Sequence, residues 1–515
     1  MKRGMAKKLL GIAVISLVFP LTVHAADEDL QKKVEKLTKE VADLKGSVKK
    51  VEDKSIGKWL TIGGDYRFRV DSLRGETAAF TNAMALASMM PQVQSGAMTM
   101  QAAMAAAAVP SYKPSNDTLY TNKFDLDLHA KATQDVTVNV KLAMYKSFGS
   151  QGTEATSGTY FADRVGLMDG TIGHVPSSSL LDVDRAYATW SNIGDQPVWF
   201  SVGRRPSTNG APTNLKLNNE RPGNGGTPAL LVDYAFDGMT IGYAPDIDIL
   251  PGAYAKVCYG RGFDSGFETP TNSVKDTDML GIAVIPVDTD PLRVWLQWNR
   301  GFNIFDAAPM SSTSFGMPFN ASTNLGSIDW YGIGSMSTLK NIGPGTLNFF
   351  TDFGLSITHP NANTSNGLGL MTNTFDGIFS GQSSSTSSKT GWAAFAGVRY
   401  DLPSKTKIGF EFNHGSENWI TFSPASDDMW TSKVGTRGNV FEPYIIQELN
   451  LKPISSHLSK TFFRLGYQYY DFEYTGSNNW VGAPVQISSI KPTTALMMTP
   501  IKSAHDIYAT FEVKF

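Results

Sequence analysis

The chain has 515 residues, 41% hydrophobic and 18% charged, with 45 basic side chains against 47 acidic ones and a single Cys. Its 29 Phe, 18 Tyr and 10 Trp are too many for a disordered polymer, and one Cys excludes a disulfide scaffold. The near balance of charge leaves no basic field to hold nucleic acid, and no apolar run beyond the N-terminus is long enough for a helical membrane bundle.

Residues 1–25 read as a secretory signal peptide. Lys2, Arg3, Lys7 and Lys8 precede an apolar stretch from Leu9 to Val23, broken by Pro20, and Ala25 and Ala26 lie just before Asp27. That stretch is 15 residues long, short of the roughly 20 that a membrane span needs. Over residues 26–55, Leu30, Leu37, Leu44 and Val51 recur every seven positions, with Val34, Val41 and Val48 on the alternate register. Val at a and Leu at d predict a short periplasmic coiled-coil helix, weakened by Gly46, that would make the chain a homo-oligomer. The alternative is an amphipathic helix lying on the rest of the protein.

From Trp59 the period changes to two. Ile62, Tyr66, Phe68 and Val70 alternate with Asp65, Arg67, Arg69 and Asp71, and Phe124, Leu126 and Leu128 alternate with Lys123, Asp125, Asp127 and His129. Val136, Val138, Val140 and Leu142 do the same against Thr137, Asn139 and Lys141. Strands with one apolar and one polar face recur to the C-terminus. Long polar stretches lie near 72–118, 147–181, 206–226, 261–277, 300–327, 358–388, 415–438 and 475–503, and short turns such as 133–135, 194–196, 288–290 and 403–405 lie between them. Eight long loops and seven turns give an all-β fold of 16 antiparallel strands over residues 56–515, the pattern of a transmembrane β-barrel.

Residues 227–260 hold three apolar pieces where parity allows two. We expect Ala229–Phe236 and Tyr254–Tyr259 to be strands and Met239–Tyr243 to belong to a turn, with 18 strands as the alternative. A soluble sandwich would also alternate. Against it stand aromatics near the strand ends (Tyr66, Trp190, Trp298, Trp392, Tyr400, Phe441, Tyr467) and charges on the opposite face. Ile507, Ala509, Phe511, Val513 and the terminal Phe515 alternate to the last residue, in a pattern similar to the assembly signal that the barrel assembly machinery reads in outer-membrane barrels.

The stretches Trp59-Leu-Thr-Ile-Gly-Gly-Asp-Tyr-Arg-Phe-Arg69, Val183 to Arg205 and Gly226-Thr-Pro-Ala-Leu-Leu-Val-Asp-Tyr-Ala-Phe-Asp-Gly238 resemble an uncharacterised porin-like family of metal-reducing deltaproteobacteria. The resemblance covers nearly the whole mature chain. It implies a barrel in the cell outer membrane, in contact with outer-membrane lipid, and assigns no functional residue. It also motivates an alternative role, a barrel sheathing a periplasmic multihaem cytochrome.

Phosphate-loop, nucleophile-elbow and His-Glu-x-x-His motifs are missing, and the seven His have no metal-ligand spacing. We expect no enzyme, no catalytic residue, no cofactor and no metal. Cys258 reads as an inert strand residue. The polar faces would line the pore with Arg67, Arg69, Lys123, Lys141, Arg205, Arg293, Arg399 and Arg464, opposed by Asp65, Asp125, Asp127, Glu411, Glu442 and Glu448. Charges of both signs predict a water-filled lumen with weak ion selectivity, hence passive diffusion of ions or small polar solutes. The first long loop is unusual: residues 80–110 carry Met84, Met89, Met90, Met98, Met100 and Met104 among many Ala. One or two helices broken at Pro91 and Gly96 are expected there, folded into the barrel mouth or packed on a partner.

Overall fold

The computed structural model describes Thr38, Lys39, Val41 and residues 59–515 except 150–168, 172, 175, 177, 208–210, 220–229, 268–269, 271–273, 307–322, 366, 374–385, 424–426 and 452–458. Residues 1–59 and 60–515 are separate units. The signal peptide lies outside the described residues, and so does the coiled-coil segment apart from three helical positions.

Sixteen antiparallel strands close into one barrel. In chain order they are β1 (Leu60–Thr77), β2 (Ser115–Lys131), β3 (Val136–Ser147), β4 (Ser178–Trp190), β5 (Val198–Pro206), β6 (Ala235–Tyr243), β7 (Tyr254–Phe263) and β8 (Thr277–Asp288). They continue with β9 (Arg293–Phe305), β10 (Asn324–Ile342), β11 (Gly345–Pro360), β12 (Thr390–Asp401), β13 (Thr406–Gly415), β14 (Gly438–Glu448), β15 (Lys460–Phe472) and β16 (Ile501–Lys514). Each strand pairs with its neighbours in sequence, and β1 closes on β16 from Asp65 opposite Lys514 to Thr77 opposite Ile501. Closure satisfies the ladder of every strand, which is what a sheet needs in a medium without water. The last residue belongs to this seam: Phe515 exchanges both backbone hydrogen bonds with Gly64, at 2.9 and 3.0 Å.

One expectation is corrected. Met239–Tyr243 is not a turn but the body of β6, whereas Leu230–Tyr234, expected as strand, precedes it and is buried. The reason is visible in the alternation. Met239, Ile241 and Tyr243 face outward with polar or small residues between them, while Leu230, Leu231 and Val232 are apolar without a break and at most 1% exposed. A run with no polar face suits a core, not a half-wet wall.

The outer face is apolar around the ring. Ile241, Val257, Ile282, Leu296, Ile333, Phe353, Val398, Phe410, Ile445, Leu465 and Ile507 point away from the barrel, each 40–54% exposed. Aromatics flank this band at the turn end (Trp190, Tyr243) and toward the loop end (Tyr120, Trp392). A continuous apolar belt of this extent is unstable in water and fits hydrocarbon. Among the described residues no helix is long and apolar enough to cross a membrane.

Loop 78–114 contains α1 (Ala83–Gln94) and α2 (Met100–Ala106). Asn82 caps α1 by accepting from the Met84 and Ala85 amides, and Thr99 caps α2 through Ala102. Pro91 sits inside α1, so the break falls only at Gly96, whose φ is +77°. The helices meet in a small core of their own, Leu86, Ala103 and Ala107 with Met89, Met98 and Met104 packed on it. A short strand, Phe80–Asn82, ties the loop to Ala108–Val109 and to Ala495–Leu496 of the last loop.

Candidate functional site, a loop-filled polar lumen

Inward positions of the strands carry the charges expected of them, yet most of those charges are dry. Arg67, Arg69, Asp125, Arg293, Arg399, Glu411, Glu442 and Arg464 are all at most 5% exposed. The expectation of an open, water-filled lumen is therefore corrected: segments 211–219 and 230–234, after β5, and 416–423 and 427–437, after β13, occupy the lumen and supply their partners.

The inserted segments are held first by an apolar core. Leu231 rests against Gly332 of β10 and Gly354 of β11, where a Cβ would come within 2.7–2.8 Å of it, so these inward glycines make room for it. Trp419, Ile420 and Phe422 pack beside it with Trp295, Trp330, Phe350 and Phe395 of the wall and Trp480 of the last loop. The buried indoles find acceptors: Trp330 donates to the Ile420 carbonyl (2.9 Å), Trp419 to Val434 (2.7 Å) and Trp480 to Phe305 (2.7 Å). The two segments also bond to each other, Phe422 N to Leu231 O at 2.8 Å and Asp233 N to Phe422 O at 3.0 Å. Arg437, 1% exposed, donates to the carbonyls of Trp419, Thr475 and Asn479 and joins loop 416–437 to loop 473–500. Each fully buried aliphatic side chain of such a core is worth about 1.5–3 kcal/mol.

Ion pairs then fix the polar side. Arg67 of β1 grips Asp427 through both Nη atoms, and the Tyr145 hydroxyl donates to the same carboxylate at 2.9 Å. Burial alone would raise the Asp427 pKa, but Arg67, Arg69 and Lys123 hold it far below the usual carboxylate range. Arg69 bonds Asp71 (2.5 Å) and Asp506 (2.8 Å). On β13 and β14, Glu411 and Glu442 stand directly opposite one another, an unfavourable pairing that the Lys433 ammonium relieves by bonding both. Lys216 adds a second cation 3.2 Å from Glu442, and the Tyr508 hydroxyl donates to it at 2.8 Å.

Toward the turn end the segment around residue 215 is pinned by its backbone. Arg399, paired with Asp401, donates to Leu215 O (2.6 Å). Arg464, paired with Glu512, donates to Lys216 O (2.6 Å), and Lys514 donates to Leu217 O (2.7 Å). Glu448 bonds Lys407 (2.7 Å) and Asn218 (2.9 Å).

A polar space lies between the inserted segments and the wall of β1 to β4, and another, of about 390 Å³, at the turn end among Asn214, Asp288, Asp290, Arg293, Lys340 and Arg399. The cavity on the β1–β4 wall, of about 230 Å³, is lined by Asp65, Lys123, Asp125, Lys141, Arg185 and His174, with Lys514 beside Asp65 in the wall and Lys216 and Asp427 across from them. Lys141 is its centre, 2.8 Å from Asp125 and 3.8–3.9 Å from Asp65 and Asp127. His174 lies 3.6 Å from Asp233 and 4.0 Å from Asp184. The sequence-derived residues thus divide. Asp65, Arg67, Lys123, Asp125 and Lys141 line the cavity, with Asp127 beside them; Arg69, Arg399, Glu411, Glu442, Glu448 and Arg464 sit in anchoring networks. Arg205 and Arg293 belong to the opposite wall, where Arg205 bonds Thr240, and Arg293 bonds the Tyr254 hydroxyl at 2.9 Å and lies 3.6 Å from Asp288. Asp71, read on the polar face of β1 but not among the pore-lining residues, joins these networks, and so do Asp506 and Glu512, which the sequence reading did not name although they share the inward face with Arg69 and Arg464. Lys216, Asp427 and Lys433 come from loops, where no period exists to find them. Among the described residues no group of three His, Cys, Asp or Glu is placed to hold a metal.

These features define a membrane-embedded, porin-like 16-stranded β-barrel whose lumen is partitioned by its own loops. Residues 113–515 match the model of a family described as protein of unknown function, DUF3373, and the chain belongs to that family. No curated protein matches it. Solved structures similar to it include an anion-selective porin from Comamonas acidovorans (12% identity, TM-score 0.40, 88% of this chain and 99% of that one). OprB of Pseudomonas putida (10%, 0.41, 92% and 97%) and OmpF of Salmonella typhi in complex with daunomycin (8%, 0.41, 88% and 97%) are also similar.

Proposed function

We propose that the protein is an outer-membrane porin that passes ions or small polar solutes passively along the β1–β4 wall. The carrying observation is the asymmetry of the lumen. Apolar packing fills the middle of the side of β9 to β12, and a mixed-charge cavity follows the wall of β1 to β4, while a further mixed-charge cavity of about 390 Å³, lined by Asp288, Asp290, Arg293, Lys340 and Arg399, sits at the turn end. Lysines and aspartates alternate along the β1–β4 cavity, so an ion would exchange hydration for side-chain partners of either sign, and selectivity between anions and cations is weak. Diffusion needs a wet, constricted path and no catalytic group. The lumen core of Leu231, Trp419 and Trp480 supports this reading over a sheath for a periplasmic cytochrome, because it takes up space a guest would need. Export by the signal peptide, assembly through Phe515 and oligomerisation through the coiled coil complete the proposal. The test is single-channel recording of the folded barrel in planar bilayers. Small ohmic steps are expected, and a folded barrel that conducts nothing overturns the reading.

A further inference from the structure

On the far side of the lumen, between β5 and β9, lies a smaller cavity of about 60 Å³. Its polar lining includes Arg205, Lys256, Thr240, Gln297 and Asn299, and no carboxylate is among its lining residues. Lys256, Gln297 and Asn299 are each at least nine-tenths buried.

The hydrogen bonding here is incomplete. Arg205 lays its guanidinium near the rings of Tyr187 and Trp199, 5.6 and 6.0 Å from their centroids, and donates one Nη to Thr240. Its Nε has no partner, and neither have Asn299 Nδ2 and Gln297 Oε1. Gly281 explains which end of the Asn299 amide is left over. A Cβ there would lie 2.5 Å from Asn299 Oδ1, so the glycine admits the oxygen against the wall, and the amide nitrogen remains as a donor. Gln297, two positions earlier on the same inward face of β9, presents an amide that can turn to donate as well.

Buried donors without acceptors are rare and need an account. We propose that this cavity binds one small inorganic anion of halide size, held by Arg205 and the amides of Asn299 and Gln297 beside the Lys256 ammonium. The volume agrees. A single water needs about 10–15 Å³ of such space, so the cavity has room for a chloride or bromide ion with a few waters beside it. The site is independent of the conduction reading, since a barrel that passes no current would still hold the ion.

The test compares the heat-unfolding midpoint of the purified barrel, read from the mobility of unboiled samples in detergent gels, in sodium chloride, sodium bromide and sodium gluconate at equal ionic strength. A saturable rise of about 2–4 °C in the halides over gluconate is expected. Asn299→Asp carries its own negative charge into the cavity. It should lose the halide response and match, in gluconate, the halide-bound wild type. Arg205→Met should lose the response without gaining stability in gluconate. Equal wild-type midpoints in chloride and gluconate overturn the proposal, and so does a full halide response in either variant.

Discussion

Replacing Lys433 by Met removes the one cation shared by Glu411 and Glu442, two carboxylates that face each other in register and are at most 1% exposed. Removing one partner of a buried pair typically costs about 3–5 kcal/mol. The lower end applies here, because Lys216 still lies 3.2 Å from Glu442 and the Tyr508 hydroxyl still donates to it. Glu411 has no such reserve: its Oε1 is already without a partner. Relief comes if loop 416–437 withdraws and water enters. A loss of about 3 kcal/mol shifts that equilibrium toward withdrawal by about two orders of magnitude. Lys433→Met is therefore expected to raise single-channel conductance, or its fluctuation, and to lower the heat-unfolding midpoint. Glu411→Gln in the same chain removes the stranded charge and should recover at least half of the lost stability. A Lys433→Met barrel with wild-type conductance and wild-type midpoint would refute the argument that this ammonium latches the loop.

The Arg67–Asp427 pair predicts a pH profile. Because the folded pKa of Asp427 is depressed, its contribution is complete above the unfolded value of about 3.9 and is lost only as pH falls below it. Stability and conductance attributable to the pair are expected to stay flat from pH 7 to about 5 and to decline under about pH 4, while Asp427→Asn shows a shallower acid limb in the same gel and bilayer assays. Deleting Phe515 removes both backbone bonds to Gly64 and the ring stacked on Phe124, so the folded fraction should fall while conductance per surviving channel is unchanged. Replacing residues 80–110 by a short Gly/Ser linker should leave conductance unaltered, since the buried side chains of α1 and α2 form their own cluster and the lumen core is built from other loops. A conductance increase on that replacement would return the Met-rich segment to the pore.

The wall of the barrel was legible in the sequence because its physics is periodic. Lipid outside and charge inside impose alternation, as in Phe68–Arg69–Val70–Asp71, and the spacing of long and short connections then counts the strands. The contents of the lumen were not legible, because an inserted loop obeys no period. Leu230–Val232 read as a strand for that reason: an apolar run of three or four is compatible with wall or core, and only the outward Met239, Ile241 and Tyr243 identify the wall. A signal was present all the same. Trp419-Ile420-Thr421-Phe422 and Trp480-Val481 lie in loops that solvent would not reward for such residues, and aromatic pairs of that kind indicate burial. The charged partners Lys216, Asp427 and Lys433 carry no comparable mark, since a lone charge in a polar loop looks the same whether solvated or paired.

The packed core also changes what the wall itself must be. Opposite the apolar contents of the lumen, β8 is dry on both sides: Met279, Ala283 and Ile285 join the core while Ile282 and Val284 face outward. From Met279 to Ile285 the chain consequently reads Met-Leu-Gly-Ile-Ala-Val-Ile, without a single charge. Such a window, rich in β-branched residues, pairs readily with copies of itself whenever it is unshielded. Until the barrel closes and enters its bilayer, this strand is an adhesive. Asp278 and Asp288 bracket it, and Pro286, placed where the β8–β9 register slips between Val284 and Val287, withholds a backbone donor. In the finished barrel Asp278 pairs with Arg261 at 3.0 Å and accepts from the Tyr259 hydroxyl at 2.7 Å, and Asp288 lies 3.6 Å from Arg293. Before the barrel closes, the same charges and the proline would also keep soluble a segment whose final environment is oil on one face and protein interior on the other.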